Sequence, residues 1–306
     1  MGLAAILVCL LAQHTYPVSG RGPVMEFYGR MCLSAAKRMN AGDRNSGALA
    51  WSALMGAVLI PMILASALAS AIHPFVLWLL DVAVLYTTIR FVPTVRALSA
   101  LERALREQSV ASAANVLSEW QGEPASADDA STLSRLAAEQ ALREAHYGTF
   151  GPLFWFLVLP GPIGLVMYPL ALRASRTWEQ IVDADERDFG WFAARAFFVI
   201  DWIPQRVSAF FFAVVGNFED ALFCWRSQAA AWLFPEEGIV LASGAGALGV
   251  KLGDPIAAAG ATVSRPPLGT GDPASEEVLS SLEGMLWRAM TLWLIVFALA
   301  AALQLA

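Results

Sequence analysis

The sequence predicts an all-α, polytopic integral membrane protein with about five transmembrane segments, one of them broken or re-entrant. Three observations carry this. Of the 306 residues 57% are hydrophobic and only 15% charged, against roughly 25% charged in a soluble domain, and the mean hydropathy is +0.55. Apolar segments run at 2–18, 47–70, 74–92, 150–172, 191–216 and 286–306, and about 20 apolar residues in a helix cross the hydrocarbon core. Segment 150–172 holds Pro152, Pro160, Pro162 and Pro169. Its central Pro-Gly-Pro breaks any straight helix, and backbone freed in this way is tolerated at membrane depth only under protein or beside a wet cavity. The whole chain, 1–306, is expected to form a single membrane domain.

The first segment has no Lys or Arg ahead of its apolar run. A secretory signal needs that positive region, so 2–18 reads as a retained, short or partial membrane helix. Ile6 stands where N-myristoylation needs Ser or Thr. Segments 47–70 and 74–92 form a tight hairpin, with Pro74 suited to the first turn of the second helix and His73 in a structural role at the turn. The basic residues of 19–46 (Arg21, Arg30, Lys37, Arg38, Arg44) and of 93–149 (Arg96, Arg103, Arg106, Arg135, Arg143) place those loops on the cytoplasmic side. A re-entrant pair at 150–172 would return Arg173 and Arg176 to the same side.

The polar loop 93–149 reads as two helices. Leu98, Leu101 and Leu105 keep helical spacing, as do Leu133, Leu136 and Ala137. Residues 121–129 form the break, and Asp128 or Asp129 caps the second helix. Glu139 and Arg143, four apart on that helix, read as a solvated ion pair worth a few tenths of a kcal/mol. Segment 191–216 carries Arg195, Asp201 and Arg206, with Pro204 between the last two. A charge near the bilayer centre costs about 2.5–3.5 kcal/mol on insertion scales, so such charges are commonly functional. A break at Pro204 would turn Asp201 and Arg206 into one cleft. Region 217–285 is polar and rich in Gly and Pro, with 243–275 expected as loop, and 286–306 is a terminal anchor.

Several function classes are excluded. The chain has no Lys/Arg-rich tract, so nucleic acid is not a partner. Cys9, Cys32 and Cys224 are too scattered for a disulfide framework or a zinc site and read as apolar fillers; no metal site is assigned. Gly244-Ala-Gly246-Ala-Leu-Gly249 fits G-x-G-x-x-G, but Gly253-Asp254-Pro255 ends any following helix within two turns, and the dinucleotide fingerprint needs a long one.

An ordered set of motifs nevertheless resembles a known family. It comprises Gly151-Pro152-Leu153-Phe154-Trp155 followed by Pro-Gly and Tyr168, then Phe189-Gly190-Trp191 with Ala193-Ala194-Arg195. Trp202-Ile203-Pro204-Gln205-Arg206 and Gly246-Ala-Leu-Gly249-Val-Lys-Leu-Gly253 follow. In this order and spacing they resemble the CobD/CbiB superfamily of membrane proteins. One branch is adenosylcobinamide-phosphate synthase of cobalamin biosynthesis; another is AmpE, associated with β-lactamase regulation. In the synthase branch a Glu-Ser…Glu-Asn…Asp series precedes the Pro-Leu-Phe-Trp. Glu139 holds its first place, while Arg143, Glu144 and Tyr147 fall where the later members are expected. Asp201 takes an Asn place. Val199–Arg206 and 214–225 are more similar to AmpE.

The resemblance implies a multi-pass protein of the bacterial inner membrane. Its partners would be the lipid bilayer and a corrinoid or other anionic small molecule. The synthase reaction is ATP-dependent amide formation between a corrinoid carboxylate and an aminopropanol moiety, with ATP and Mg²⁺ as cofactors if that activity is retained. Asp201 and Glu139 would be the catalytic acids, Asp201 as metal ligand or base. Arg143, Arg173, Arg195 and Arg206 would bind phosphate or carboxylate. The alternative is an AmpE-like, non-enzymatic regulator or binding protein.

Overall fold

A computed structural model describes residues 2–16, 22–125, 129–180, 187–258 and 261–303. The helices are α1 (Gly2–Thr15), α2 (Gly22–Met39), α3 (Arg44–Ile72), α4 (Pro74–Thr88), α5 (Phe91–Arg106), α6 (Val110–Gln121) and α7 (Ala130–Ala145). A π-helical turn, His146–Phe150, leads into α8 (Gly151–Val158), α9 (Ile163–Glu179), α10 (Arg187–Val215), α11 (Phe218–Gln228), α12 (Pro235–Leu248) and α13 (Glu276–Leu303). Two small two-stranded sheets follow α12. β1 (Val250–Lys251) pairs parallel with β4 (Asp272–Pro273), and β2 (Ile256–Ala258) pairs antiparallel with β3 (Ala261–Val263). The architecture is that of an all-α polytopic membrane protein. Among the described residues four stretches are long and apolar enough to cross a membrane: Arg44–Ile72, Pro74–Arg106, Asp188–Val215 and Glu276–Leu303. α1 is apolar but shorter.

The helix ends follow from local chemistry. Asp43 caps α3 by accepting from the Ser46 N–H at 2.9 Å. Between α3 and α4, His73 Nδ1 accepts from the Phe75 N–H at 3.1 Å, and Pro74 occupies the first turn, where its missing N–H costs nothing. Asp129 caps α7 through the Thr132 N–H at 2.7 Å; Asp128 lies outside the described residues. Pro160-Gly161-Pro162 separates α8 from α9, as its composition requires.

Three expectations are corrected. The stretch before residue 121 is two helices, not one. It turns at Glu107–Ser109, where Gln108 takes φ of 56° and Ser109 caps α6. Next, α10 runs unbroken through Pro204. Pro204 has no N–H for the Ile200 carbonyl, but the Trp155 indole N–H donates to that oxygen at 3.2 Å and removes the reason to break. Finally, 243–275 is not all loop: α12 continues through Gly244 and Gly246, and β1 to β4 follow. A side chain at Gly244 would meet Leu142, and one at Gly246 the backbone of Asp220. These glycines serve close helix packing rather than a phosphate turn. Because Ile239–Ala242 is helix, the strand required by the dinucleotide fingerprint is absent.

The chain divides into two compact units, and the division falls within α10. Unit 1 comprises residues 1–89, 151–202 and 301–306; unit 2 comprises 90–150 and 203–300. In unit 1, α4 packs on α1, α3 and α9, and α2 packs on α9 and α3. Buried Trp178 donates from its indole N–H to the Cys32 carbonyl at 2.9 Å, joining α9 to α2. In unit 2, α7 packs on α5, α6 and α12, and α11 lies along α12. Its core includes Phe150, Phe212 and Trp293, whose rings meet.

Cys9, Cys32 and Cys224 are buried free thiols. Burial pushes the Cys32 thiol up to about 11, against the pull of the Arg173 charge. Since the thiolate is the reactive form, none of the three is expected to be alkylated by iodoacetamide at neutral pH in the folded protein, and all three after denaturation. Mass spectrometry of protein labelled before and after denaturation checks this; labelling of Cys32 in the folded state would show that α2 and α9 part in solution.

Candidate functional site

Unit 2 holds a buried charge network around Glu139. This carboxylate is fully enclosed in α7. Oε2 accepts from Arg265 Nη1 at 2.7 Å and from Arg143 Nη2 at 3.3 Å. Oε1 accepts from the Gly253 N–H at 2.9 Å and from Arg265 Nη2 at 3.2 Å. Four donors therefore fill its lone pairs. Arg143 also gives its Nε–H to Glu237 at 2.6 Å. Burial opposes the Arg143 charge, but the Glu237 and Glu139 carboxylates outweigh it and hold the guanidinium above its ordinary pKa. Arg265 reaches on to the carbonyls of Gly253 and Asp254, with its guanidinium 5.4 Å from the Trp232 ring centre. The Glu139–Arg143 pair is thus part of an enclosed network, and the solvated pair expected from spacing alone is corrected.

The motif ending in Gly253 explains how an N–H reaches this carboxylate. Gly249 stops α12 in the left-handed region, with φ of 67°. Val250 and Lys251 then form β1, and Gly253 turns with φ of 81°. A side chain on Gly253 would overlap the Pro266 carbonyl. Only glycine fits both the angle and the space.

Unit 1 holds the second buried carboxylate, Asp201, which is enclosed in α10. The Tyr168 hydroxyl donates to its Oδ1 at 2.7 Å. Gly151 makes room for that ring: a side chain there would overlap Tyr168 Cζ and Oη. Four residues on, Trp155 holds the Ile200 carbonyl next to Asp201. The Gly-Pro-Leu-Phe-Trp motif and the distant tyrosine therefore position one acid.

The remaining candidate residues are dispersed. Arg173, in unit 1, is half-buried on α9, and its guanidinium lies over Gly29 of α2. Its Nε is buried without a hydrogen-bond partner, and it has no ion pair among the described residues. Arg195, also in unit 1, is exposed, with its guanidinium 4.9 Å from the Phe198 ring centre. Arg206 is half-buried in unit 2. Of Arg195, Asp201 and Arg206 in α10, Asp201 alone is enclosed. The structure brings Glu139 and Arg143 together. It adds Arg265 and Glu237, which the sequence did not single out. Arg265 sits in a Pro-rich stretch 126 residues from Glu139, with no periodicity to mark it.

Glu139 has no lone pair left for a cation, and no group of three or more His, Cys, Asp or Glu that could hold a metal ion occurs among the described residues. Among the described residues this donor set does not form a protein cage for Mg²⁺.

A sequence model of the CobD/Cbib protein family matches residues 2–286. A relative in Stutzerimonas stutzeri, cobalamin biosynthesis protein CobD, is 30% identical over 295 residues, covering 96% of this chain and 94% of the relative. A CobD of Chromobacterium violaceum is 37% identical over 167 residues, 54% of this chain and 52% of the relative. Cobalamin biosynthesis protein CbiB of Salmonella choleraesuis is 27% identical over 299 residues, 93% of this chain and 91% of the relative. No solved structure matches.

Proposed function

The chain belongs to the CobD/CbiB family, and from that premise we propose that it serves cobalamin biosynthesis in the bacterial inner membrane by binding the carboxylate or phosphate of a corrinoid. The observation that carries the binding is Arg173. A guanidinium whose Nε is buried and unpartnered is completed by an anion, and arginine matches carboxylate and phosphate in geometry. Asp201, fixed by Tyr168, is a hydrogen-bond acceptor that helps position the ligand, a role that Asn can share. Within unit 1, Arg195 is a further contact for an anionic ligand, and Arg206, in unit 2, is proposed separately as a charge that function needs. Glu139 acts as a positioning residue, setting Arg143 and Arg265.

The family reaction joins an aminopropanol amine to a corrinoid carboxylate. Complementation tests whether this chain performs it. In a strain lacking adenosylcobinamide-phosphate synthase, growth on cobyric acid is expected on expressing this chain; no growth from well-expressed protein would remove the amide-forming step. In the same assay Arg206→Leu is expected to harm growth more than Asp201→Asn, because Asn keeps the Tyr168 hydrogen bond. Equal tolerance of both, at equal protein levels, would refute a role for these charges.

A second reading, an AmpE-like binding protein without catalysis, draws on the saturation of Glu139. Deleting the gene and measuring β-lactamase induction tests it, and an unchanged response counts against it.

A further inference from the structure

Asp81 is an acid in the apolar helix α4, within the candidate span Pro74–Arg106, and none of the roles above uses it. It is only 7% exposed, and its Oδ1 is buried without a hydrogen-bond partner. The break between α8 and α9 lies against it. The point where a side chain would start on Gly161, which has φ of +62°, is 3.8 Å from Asp81 Oδ1, 3.8 Å from Ser66 Oγ and 3.6 Å from Leu77 Cδ1.

The polar groups around this point are poor in donors. Pro160 and Pro162 have no N–H. Ser66 spends its proton on the Met62 carbonyl at 2.8 Å, which leaves its oxygen as an acceptor only. Among the described residues the helices packed on α4 supply no ion pair to the carboxyl and no hydrogen bond to its Oδ1. α3 carries no ionisable residue beyond Arg44, which pairs with Asp188. α1 carries Cys9 and His14, and α2 carries Glu26, Tyr28, Arg30, Cys32, Lys37 and Arg38. α9 carries Tyr168, engaged with Asp201, together with Arg173, Arg176 and Glu179. A buried, unpaired carboxylate is costly, and such groups take a proton instead. A neutral carboxyl also has the O–H donor that an acceptor-rich pocket lacks.

We propose that Asp81, Ser66 and the Pro160-Gly161-Pro162 break form a proton-binding site within the membrane-spanning hairpin, where the Asp81 carboxylate takes up one proton from water and releases it again. This site is independent of the corrinoid reading.

Infrared spectroscopy of the full-length protein in phosphatidylcholine nanodiscs tests it. At neutral pH the spectrum is expected to show the C=O band of a dry, neutral carboxylic acid that disappears as pH is raised. Asp81→Asn removes this band and Asp201→Asn leaves it. Should Asp81→Asn fail to fold, Asp81→Glu keeps a titrating band at a shifted frequency, and Ser66→Ala moves the titration midpoint. A spectrum without the band at any pH, a band unchanged in Asp81→Asn, or a band whose frequency is unmoved by Asp81→Glu and whose midpoint is unmoved by Ser66→Ala overturns the proposal. Loss of the band on adding NaCl at fixed pH also overturns it, in favour of a metal-cation site.

Discussion

Replacing Glu139 by alanine is expected to destabilise the protein by about 3–5 kcal/mol, the usual cost of removing one partner from a buried ion pair. Two guanidinia lose their shared carboxylate, and the Gly253 N–H loses its acceptor. Arg265 is the worse placed, because Glu139 is its ion-pair partner, whereas Arg143 keeps Glu237. Glu139→Gln retains shape and one acceptor oxygen and should fall between wild type and alanine. Replacing Glu139, Arg143 and Arg265 together by leucine should recover much of the loss, since buried ion networks often exchange for apolar packing at little cost. Thermal unfolding in detergent, followed by loss of the monodisperse chromatographic peak, ranks the variants. If Glu139→Ala melts with wild type, the network is not closed as described.

Gly151→Ala is the second large effect. The added methyl occupies the space of the Tyr168 ring. Overpacking of this kind costs about 1–3 kcal/mol. A displaced ring also withdraws its hydroxyl from the buried Asp201 carboxylate, and hydrogen bonds to charged groups are worth about 1.5–3 kcal/mol. Tyr168→Phe removes the hydroxyl without the clash, so it should cost less than Gly151→Ala. The double variant should cost little more than Gly151→Ala alone, because both act on one contact. Unfolding midpoints of the three variants decide this; additive costs would mean that Gly151 acts elsewhere.

The sequence foretold the parts of the fold that depend on neighbours in the chain. Pro74 marked the hairpin, Pro160-Gly161-Pro162 marked the break between α8 and α9, and Asp129 marked a cap. The break at Glu107–Ser109 was not legible, because it contains no Gly or Pro and places Gln108 in the left-handed region. Pro204 misled for the opposite reason: it has the chemistry of a kink, yet a tryptophan 49 positions earlier satisfies the carbonyl it frees. The glycines of α12 signal a loop by composition and serve packing in space.

The candidate site shows the same division. Asp201 and Glu139 stood out as acids with family counterparts, whereas Tyr168 acquires its role only when Gly151 admits its ring. Arg265 was invisible because long-range ion pairs leave no spacing to read. Asp81 carried a signal that could have been used, a single acid within an apolar span.

As proposed, Arg173 completes a site for a corrinoid anion in unit 1. Equilibrium binding of cobyric acid to the purified, detergent-solubilised protein, read by the corrinoid's visible absorbance, tests it most directly. Saturable binding is expected, weakened at least about tenfold by Arg173→Leu, since a charge-assisted hydrogen bond of about 1.5–3 kcal/mol is lost. Absence of saturable binding, or equal affinity in wild type and Arg173→Leu, would contradict it.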